Sequence, residues 1–235
     1  MLKSTVTEIQ QRFDNDVERF SNLDTGQLST IDATISLELI TEAAKRINSA
    51  ATTLLDIGCG AGNYTLMMLS KIPNLQCSMV DLSKPMLDKA YERVSAATSN
   101  KVQIIQGDIR NVELPNNHFD ILLAGAVLHH LRDDEDWETT FTKLYQLLKP
   151  GGCLMISDLI TQDTEILNHY TWEKYGDYLE SIGGKEYRQK VLDYVAKEDS
   201  PRSLNYQLGL MKKVGFSQVE ILHKNLCFAA FGGIK

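Results

Sequence analysis

The sequence has 235 residues, of which 43% are hydrophobic and 23% charged, with 24 lysines and arginines against 31 aspartates and glutamates. This length and composition are typical of a globular protein with one well-formed hydrophobic core. The formal net charge of −7 argues against nonspecific nucleic-acid binding, which depends on basic side chains that neutralise phosphates.

The amino terminus, MLKSTVTEIQ, lacks the basic and apolar regions of a signal peptide, and no apolar run is long enough to span a bilayer. The cysteines are scattered without a C-x-x-C pair, which favours reduced, buried thiols. We therefore predict a soluble, cytoplasmic protein with no membrane partner and no strong nucleic-acid signal. The four cysteines are Cys59, Cys77, Cys153 and Cys227.

Residues 1–48 are predicted to form a helical cap, since Ile40, Ala44 and Ile47 recur at helical spacing. From residue 49 to 160, strand-type runs alternate with helix-type segments, a pattern typical of a doubly wound α/β fold with a mostly parallel, Rossmann-like sheet. The predicted strands of this core are Thr53–Ile57, Gln76–Val80, Val102–Gln106, Ile121–Gly125 and Cys153–Ser157.

Two helices between these strands have clear signals. Ser83 is a suitable N-cap with Pro85 in the first turn, and Asp133 or Asp134 begins the second helix, which Pro150-Gly151-Gly152 ends. The predicted buried stripes are Met86, Leu87, Ala90, Tyr91 and Val94 in the first helix, and Trp137, Phe141, Leu144 and Leu148 in the second.

The alternation stops after Ser157. Residues 161–200 are rich in tyrosine and predict a helical insertion over the site. Residues 201–235 are predicted to hold a helix at Leu204–Val214, ended by Gly215, and two strands at Val219–His223 and Cys227–Phe231. We expect all four segments to form a single domain.

The most informative segment is LLDIGCGAGNYT, residues 54–65. An apolar run ends in an acid, Asp56, and opens into Gly58, Gly60 and Gly62, which let the backbone approach a ligand closely. The dinucleotide fingerprint requires a glycine where Asn63 stands, and no Gly-Lys-Ser/Thr follows. Asp56 would repel a diphosphate and suits a cationic ligand, such as one with an ammonium and a sulfonium.

Together with four further motifs in the same order, this loop resembles the class I S-adenosylmethionine-dependent methyltransferases. The resemblance runs from about Leu54 to Ile160 and implies S-adenosylmethionine as the cofactor, a small-molecule acceptor, no metal, and a seven-stranded sheet whose last two strands form its antiparallel edge. The further motifs are Val80-Asp81-Leu82-Ser83, Gln106-Gly107-Asp108-Ile109, Phe119-Asp120-Ile121-Leu122 and Leu148-Lys149-Pro150-Gly151-Gly152.

The cofactor candidates begin with the glycine loop, including Cys59, and with Asp81. Asp81 stands where an acid in a nucleotide-binding unit reaches a ribose diol, although it could instead cap the next helix. Leu82 and Met86 are predicted to flank the adenine, a position that ordinary core packing would also explain.

Two later strand ends supply the remaining cofactor candidates. The resemblance implies that Asp108 accepts from the adenine amino group and that Ile109 supplies a backbone amide, whereas the alternative for Asp108 is a plain loop residue. Ala124 and Gly125 are small, so that backbone carbonyls there could meet the methionine ammonium, or they could reflect close helix packing.

Methyl transfer from a sulfonium is an in-line displacement that depends mainly on positioning, so no base is obligatory. His129 and His130 are candidate bases because imidazole titrates near neutrality, and Asp158 is a further candidate after the fifth strand. The resemblance favours a structural or cofactor-side role for both histidines. The motif Leu128-His129-His130-Leu131 recurs in members of that family that act on different substrates. Catalytic residues therefore stay unassigned.

Substrate contacts are expected in the aromatic insertion, where rings exclude water from the sulfonium. The candidates there are Tyr170, Trp172, Tyr175 and Arg188. A homodimer through the helical additions is a further expectation.

A second resemblance is to the carboxy-S-adenosylmethionine synthases, which use prephenate to carboxylate the cofactor's methyl group for tRNA wobble modification. It rests on Arg12-Phe13-Asp14-Asn15-Asp16-Val17, on the helices after residue 160 and on Cys227-Phe228-Ala229-Ala230-Phe231. The arginine that clamps the added carboxylate in that family aligns with Val191 or Leu192, so Arg188 or Arg202 would have to replace it. Two further classes stay open, a nonenzymatic cofactor binder and a dehydrogenase, and Asn63 and Asp56 oppose the dehydrogenase.

Overall fold

The computed structural model describes residues 3–22 and 27–235. Its centre is one sheet of seven strands in the order β3-β2-β1-β4-β5-β7-β6. All neighbouring pairs up to β5 are parallel, and β7 runs antiparallel between β5 and β6. The strands are β1 Thr53–Ile57, β2 Gln76–Asp81, β3 Val102–Gln106, β4 Phe119–Gly125, β5 Leu148–Leu159, β6 Gln218–Asn225 and β7 Phe228–Ile234.

Eight α-helices and one short 3₁₀ helix, Leu128–His130, belong to the described residues. The longest α-helix has a kink at Gly184, whose φ of 78° is not helical. We label them α1 Val6–Asp14, α2 Val17–Ser21, α3 Ala33–Ile47, α4 Asn63–Lys71, α5 Lys84–Ala97, α6 Asp134–Leu147, α7 Glu165–Glu198 and α8 Leu204–Val214.

The predicted doubly wound, mostly parallel sheet is confirmed, including its antiparallel edge. The predicted caps are also confirmed: the hydroxyl of Ser83 accepts from the backbone N of Met86 at 3.3 Å, and the Asp133 carboxylate accepts from Asp136 at 2.9 Å. The helix at Leu204–Val214 has the predicted bounds and ends at Gly215. These signals are local, so the sequence pattern contains them fully.

Several predicted bounds were wrong. Strand β5 begins at Leu148, so α6 ends at Leu147 and Leu148 is buried in the strand instead of in the helix. Strands β2, β4 and β6 are longer than predicted, and β7 begins one residue later, at Phe228. Tyr91, placed in the buried stripe of α5, is 47% exposed, whereas its four companions are buried.

The hydrophobic core lies on both faces of the sheet. On one face α6 and α8 pack Trp137, Phe141 and Met211 against the strands. On the other face α3, α4 and α5 contribute, with Ile40 and Met68 fully buried. Burial on both faces explains why the central strands are continuous apolar runs.

A third apolar cluster joins α7 to the carboxyl end of the sheet. Tyr175, Leu179 and Val191 of α7 pack with Leu159 and Phe228 there. The insertion is therefore anchored at the ends of β5 and β7. These ends lie next to the switch point between β1 and β4, where doubly wound sheets bind ligands. No helix among residues 3–22 and 27–235 has the length and apolar character needed to cross a bilayer.

Candidate functional site

One deep cavity opens at the carboxyl ends of β1, β2, β4 and β5, between the sheet and the helices α1, α2 and α7. Its first half, which we call the cofactor half, is formed by the glycine loop and the residues after β2 and β3. Its second half, the acceptor half, is formed by aromatic, histidine and aspartate side chains. The acceptor half includes Phe13, Phe20, His129, His130, Tyr175, Tyr194, Asp199 and Phe228.

The glycine loop bends over the end of β2. The backbone N of Gly58 and of Cys59 both donate to the carbonyl of Val80, at 2.8 and 3.1 Å. Gly58 and Gly60 have φ values of 63° and 50°, which glycine adopts at little cost. A Cβ at Gly60 would meet no atom within 4 Å, so the backbone there leaves open space beside the cavity.

Asp81 lies at the end of β2 and fixes this loop. Its Oδ2 accepts from the backbone N of Gly60 at 2.8 Å, and its Oδ1 accepts from the backbone N of Ser83 at 2.9 Å. Burial raises the pKa of Asp81, because the charged form is poorly solvated there. Ser83 caps α5 with its own hydroxyl, so Asp81 is not needed as the cap.

Three of the predicted cofactor residues do not line the cavity. Asp56 is 1% exposed, and its Oδ2 accepts from the hydroxyl and backbone N of Thr65 at 2.7 and 3.1 Å. Its carboxylate thus holds the first turn of α4, and burial raises its pKa to about 7. Gly62 packs against Ala90 of α5, and Ala124 is buried inside β4.

The remaining predicted cofactor residues line the cavity, namely Gly58, Cys59, Gly60, Asp81, Leu82, Met86, Asp108, Ile109 and Gly125. Asp108 is already engaged by the guanidinium of Arg110, at 2.6 Å, and Arg110 also pairs with Asp136. Burial alone would raise the pKa of Asp108, but the hydrogen bonds and charge of Arg110 lower it. An ionised Asp108 therefore lines the cofactor half beside Ile109.

The acceptor half contains a buried cluster of two histidines and two aspartates. The backbone N of His129 donates to Asp158 Oδ2 at 3.1 Å, and its ring Nδ1 is hydrogen-bonded to Asp158 Oδ1. The other ring nitrogen, Nε2, lies 3.7 Å from Asp199 Oδ1, and His130 Nδ1 lies 3.2 Å from the same oxygen. The 3₁₀ helix, the end of β5 and the residue after α7 meet here.

The charges of this cluster are coupled. Burial lowers the pKa of His129, but the nearby charges of Asp158 and Asp199 outweigh burial and raise it to about 9. Burial lowers the pKa of His130, and the charge on His129 lowers it further. A protonated His129 cannot accept a proton at neutral pH, which agrees with the non-catalytic role that the family resemblance favours.

The first two helices close the acceptor half. Arg12 of α1 makes two hydrogen bonds to the carboxylate of Glu198, at 2.8 and 2.9 Å, and lies over the rings of Phe13 and Tyr194. Sequence reasoning did not assign Phe13, Phe20 or Asp199 to the site. Phe13 belongs to α1 and Phe20 to α2, and no sequence pattern indicated that both would line the cavity.

Of the predicted substrate residues, only Tyr175 lines the cavity. Trp172 packs edge-on against the Tyr175 ring, with ring centroids 5.7 Å apart, and Tyr170 is 53% exposed. Arg188 pairs with Asp177 and Glu180 away from the cavity. The long helix thus leaves Tyr170 exposed and packs Trp172 into the third apolar cluster, which the composition of the segment did not reveal.

The arginine required by the second resemblance is also missing from α7. Val191 is buried in the apolar cluster of the insertion, and Leu192 packs against it. Arg202, the other replacement considered, pairs with Asp134 at 2.6 Å. Neither Arg188 nor Arg202 lines the cavity.

The cofactor half combines a polar group with apolar faces. Asp81, Leu82 and Met86 line it, and the open space at Gly60 admits a ligand against the backbone. This combination suits a nucleoside, which has both a polar sugar and an apolar base face.

Known proteins resemble this chain in sequence and in fold. Residues 54–152 match a family model described as a methyltransferase domain. The carboxy-S-adenosyl-L-methionine synthase of Pasteurella multocida (strain Pm70) is 31% identical over 201 residues, which cover 82% of this chain and 80% of that protein. The demethylmenaquinone methyltransferase of Listeria monocytogenes serotype 4a (strain HCC23) is 28% identical over 193 residues, 78% of each chain.

Solved structures confirm the fold. The crystal structure of human N-acetylserotonin methyltransferase in complex with SAM (S-adenosylmethionine) covers 99% of this chain, with a TM-score of 0.64 and 15% identity, and this chain spans 59% of that one. At that identity the likeness concerns the fold alone. Together with the family model and the sequence relatives, it shows that this chain is an enzyme that uses S-adenosylmethionine and belongs to the class I S-adenosylmethionine-dependent methyltransferase family.

Proposed function

We propose that the enzyme transfers the methyl group of S-adenosylmethionine to a small, planar and largely apolar acceptor bound in the acceptor half of the cavity. One observation carries this proposal: the glycine loop with Asp81 and the aromatic side chains under α1, α2 and α7 line one continuous cavity. An acceptor there lies next to the methionine end of the cofactor and is shielded from water, as in-line transfer requires.

The residues of the cofactor half would bind and orient the donor. Asp81 accepts from the ribose hydroxyls, Leu82 and Met86 flank the adenine, and Asp108 with Ile109 meets its polar edge. Carbonyls near Gly125 face the ammonium. Asp56 contributes indirectly, because its carboxyl holds the first turn of α4 beneath the loop and does not line the cavity. The bound cofactor supplies an electrophilic methyl group on a sulfonium.

The acceptor half would select and position the acceptor. The rings of Phe13, Phe20, Tyr175 and Phe228 bury apolar surface, and the histidine and aspartate cluster meets the acceptor's polar group. A hydroxyl acceptor loses its proton as the methyl carbon binds its oxygen. The carboxylates of the cluster and its neutral imidazole are the nearest groups that could take that proton.

Carboxylation of the cofactor is a second candidate function. The sequence relatives support it, and Arg19 of α2 lines the cavity, where a guanidinium could bind a carboxylate. The aliphatic side chains of Val191 and Leu192 at the family's arginine position count against it. A nonenzymatic cofactor binder is disfavoured by the presence of a formed acceptor half.

The deciding experiment identifies what the purified protein does to the cofactor. Mass spectrometry of the copurified ligand and of reactions with methyl-labelled S-adenosylmethionine, with and without prephenate, separates the candidates. Label transferred from the donor to planar hydroxylic or amino compounds supports methyl transfer. A carboxylated cofactor that forms only with prephenate supports the second function and overturns the first.

Location and assembly are also proposed. The four cysteines are free and buried, which suits a reducing compartment such as the cytoplasm. A homodimer through the helical additions is consistent with the exposed apolar residues Ile166, Leu167 and Tyr170 on α7.

A further inference from the structure

The cluster in the acceptor half has the composition of a metal site. His129, His130 and Asp199 each present a ligand atom, and these atoms all lie within 4.8 Å of one another. Two of the separations, 3.7 Å from His129 Nε2 and 3.2 Å from His130 Nδ1 to Asp199 Oδ1, are close to those between ligands that share one ion. With metal–ligand bonds of about 2.0 to 2.2 Å, neighbouring ligands stand roughly 3 to 3.5 Å apart.

The polar atoms of this cluster lack other partners. Both ring nitrogens of His130 and both carboxylate oxygens of Asp199 are buried, and their contacts within the cluster, at 3.2 and 3.7 Å to Asp199 Oδ1, are the only polar ones found for them among the described residues. Buried polar atoms of native proteins are nearly always satisfied, so each such group calls for an explanation such as an ion. Four such atoms lie close together here, so one ion shared by all of them is the simplest explanation.

Asp158 completes the arrangement. Its hydrogen bond to His129 Nδ1 fixes the ring with Nε2 toward Asp199, and a metal ion that binds Nε2 would displace the proton from that nitrogen. A carboxylate behind a histidine is the usual outer partner of a metal-binding imidazole. The carboxylates of Asp158 and Asp199 lie beside the imidazoles, where they partly offset the charge of a divalent cation.

We propose that His129, His130 and Asp199 bind one divalent transition-metal ion, with its open coordination positions toward the acceptor half of the cavity. Two imidazoles favour Zn²⁺, Fe²⁺ or a similar ion over Mg²⁺ or Ca²⁺, which prefer oxygen ligands. The resemblance to the methyltransferase family implied no metal, so the proposed metal site goes beyond what that resemblance implies.

The proposed function gives the ion a use. An acceptor oxygen bound to the ion would lose its proton more readily and so attack the methyl carbon as an oxyanion. That role rests on the proposed function, whereas metal binding itself does not.

The test uses the full chain after removal of metals with a chelator, titrated with Zn²⁺ in a calorimeter and with Co²⁺ in a spectrophotometer. We expect one ion per chain and the visible absorption of a Co²⁺ ion bound by nitrogen and oxygen. The variants His130→Ala and Asp199→Asn should lose this binding, and Asp158→Asn should weaken it about 10-fold to 100-fold. The matched control His169→Ala removes an exposed imidazole outside the cluster and should bind as the wild type does.

S-adenosylmethionine affinity, measured on the same samples, shows that each variant is folded and keeps the two proposals apart. Zn²⁺ binding that survives in His130→Ala and Asp199→Asn, or its absence in the wild type, overturns the metal site. Loss of cofactor binding from the metal-free wild type would leave the metal result intact and count against the proposed arrangement of the cofactor half.

Discussion

Asp81 Oδ2 accepts a hydrogen bond from the backbone N of Gly60 at 2.8 Å, which ties the end of β2 to the apex of the glycine loop. The second oxygen holds Ser83 at 2.9 Å, so one carboxylate organises both sides of the cofactor half. The cost of burying this charge is visible in the raised pKa of Asp81. Burial of this carboxylate is unfavourable for the folded state, so a role in ligand binding explains Asp81 better than a role in stability.

The variant Asp81→Asn should therefore lose more cofactor affinity than stability. The amide keeps one acceptor for the two backbone N–H groups of Gly60 and Ser83 but cannot accept from two ribose hydroxyls, and a hydrogen bond to a charged group contributes about 1.5 to 3 kcal/mol. We expect calorimetry to give a dissociation constant roughly 10-fold to 100-fold higher, with only a small drop in the urea midpoint. Equal affinity of variant and wild type would refute the ribose assignment.

The glycine loop offers a matched pair of substitutions. In Gly58→Ala the new Cβ would stand 2.5 Å from Val127 Cγ2, whereas in Gly60→Ala it would meet no atom within 4 Å. Both positions have positive φ, which costs a non-glycine residue about 1 to 2 kcal/mol. Gly58→Ala should thus lose markedly more unfolding free energy in urea titrations, and Gly60→Ala should mainly lose cofactor affinity. Equal stability losses would contradict the described packing.

Acid stability should depend on Asp120. Its Oδ2 accepts from Lys149 Nζ and from the backbone N of Thr52, both at 2.9 Å. Burial alone would raise the pKa of Asp120, but these partners lower it from 3.8 to about 2. Because the folded-state pKa is depressed, the stabilisation is complete above about pH 4 and is lost as the pH falls toward 2.

The measurement compares wild type with Asp120→Asn at several pH values. We expect the wild type to exceed the variant in unfolding free energy by roughly 2 kcal/mol at pH 7 and by progressively less below pH 4. A difference that stays constant down to the acid limit of folding would show that the carboxylate charge is not the cause.

The pair of Arg12 and Glu198 should hold α1 against the end of α7. Its two N to O distances of 2.8 and 2.9 Å and the burial of Glu198 make it stronger than a surface pair. The variant Arg12→Met keeps most of the side-chain volume. Its free energy of unfolding should be lower by about 3 kcal/mol or somewhat less, because Arg12 is partly exposed. The rate of backbone hydrogen exchange in residues 6–14 should rise in the same variant.

The exposed pair of Lys213 and Glu138 serves as the control, because an ion pair of that kind contributes about 1 kcal/mol or less. Lys213→Met should leave both stability and exchange of α1 nearly unchanged. Similar losses in both variants would mean that the first pair has no special part in closing the acceptor half.

Local sequence patterns were enough to predict the fold, and the family resemblance carried by five motifs in order supplied the cofactor. The apolar runs, the caps at Ser83 and Asp133 and the glycine loop before Asp81 are such patterns, and backbone preferences and periodicity suffice to interpret them. For that reason nine of the predicted cofactor residues line the cavity, and the element types were correct even where the bounds were not.

The contacts between segments that are far apart in the sequence could be seen only in the folded structure. Packing turned the carboxyl of Asp56 to Thr65, left Tyr170 exposed, and brought Phe13 and Asp199 into the acceptor half. These outcomes depend on how α1 and α7 pack on the sheet, a sum of many weak apolar contacts between segments far apart in sequence. The sequence thus named the methyl donor, and the packing of the helices shaped the space for the acceptor.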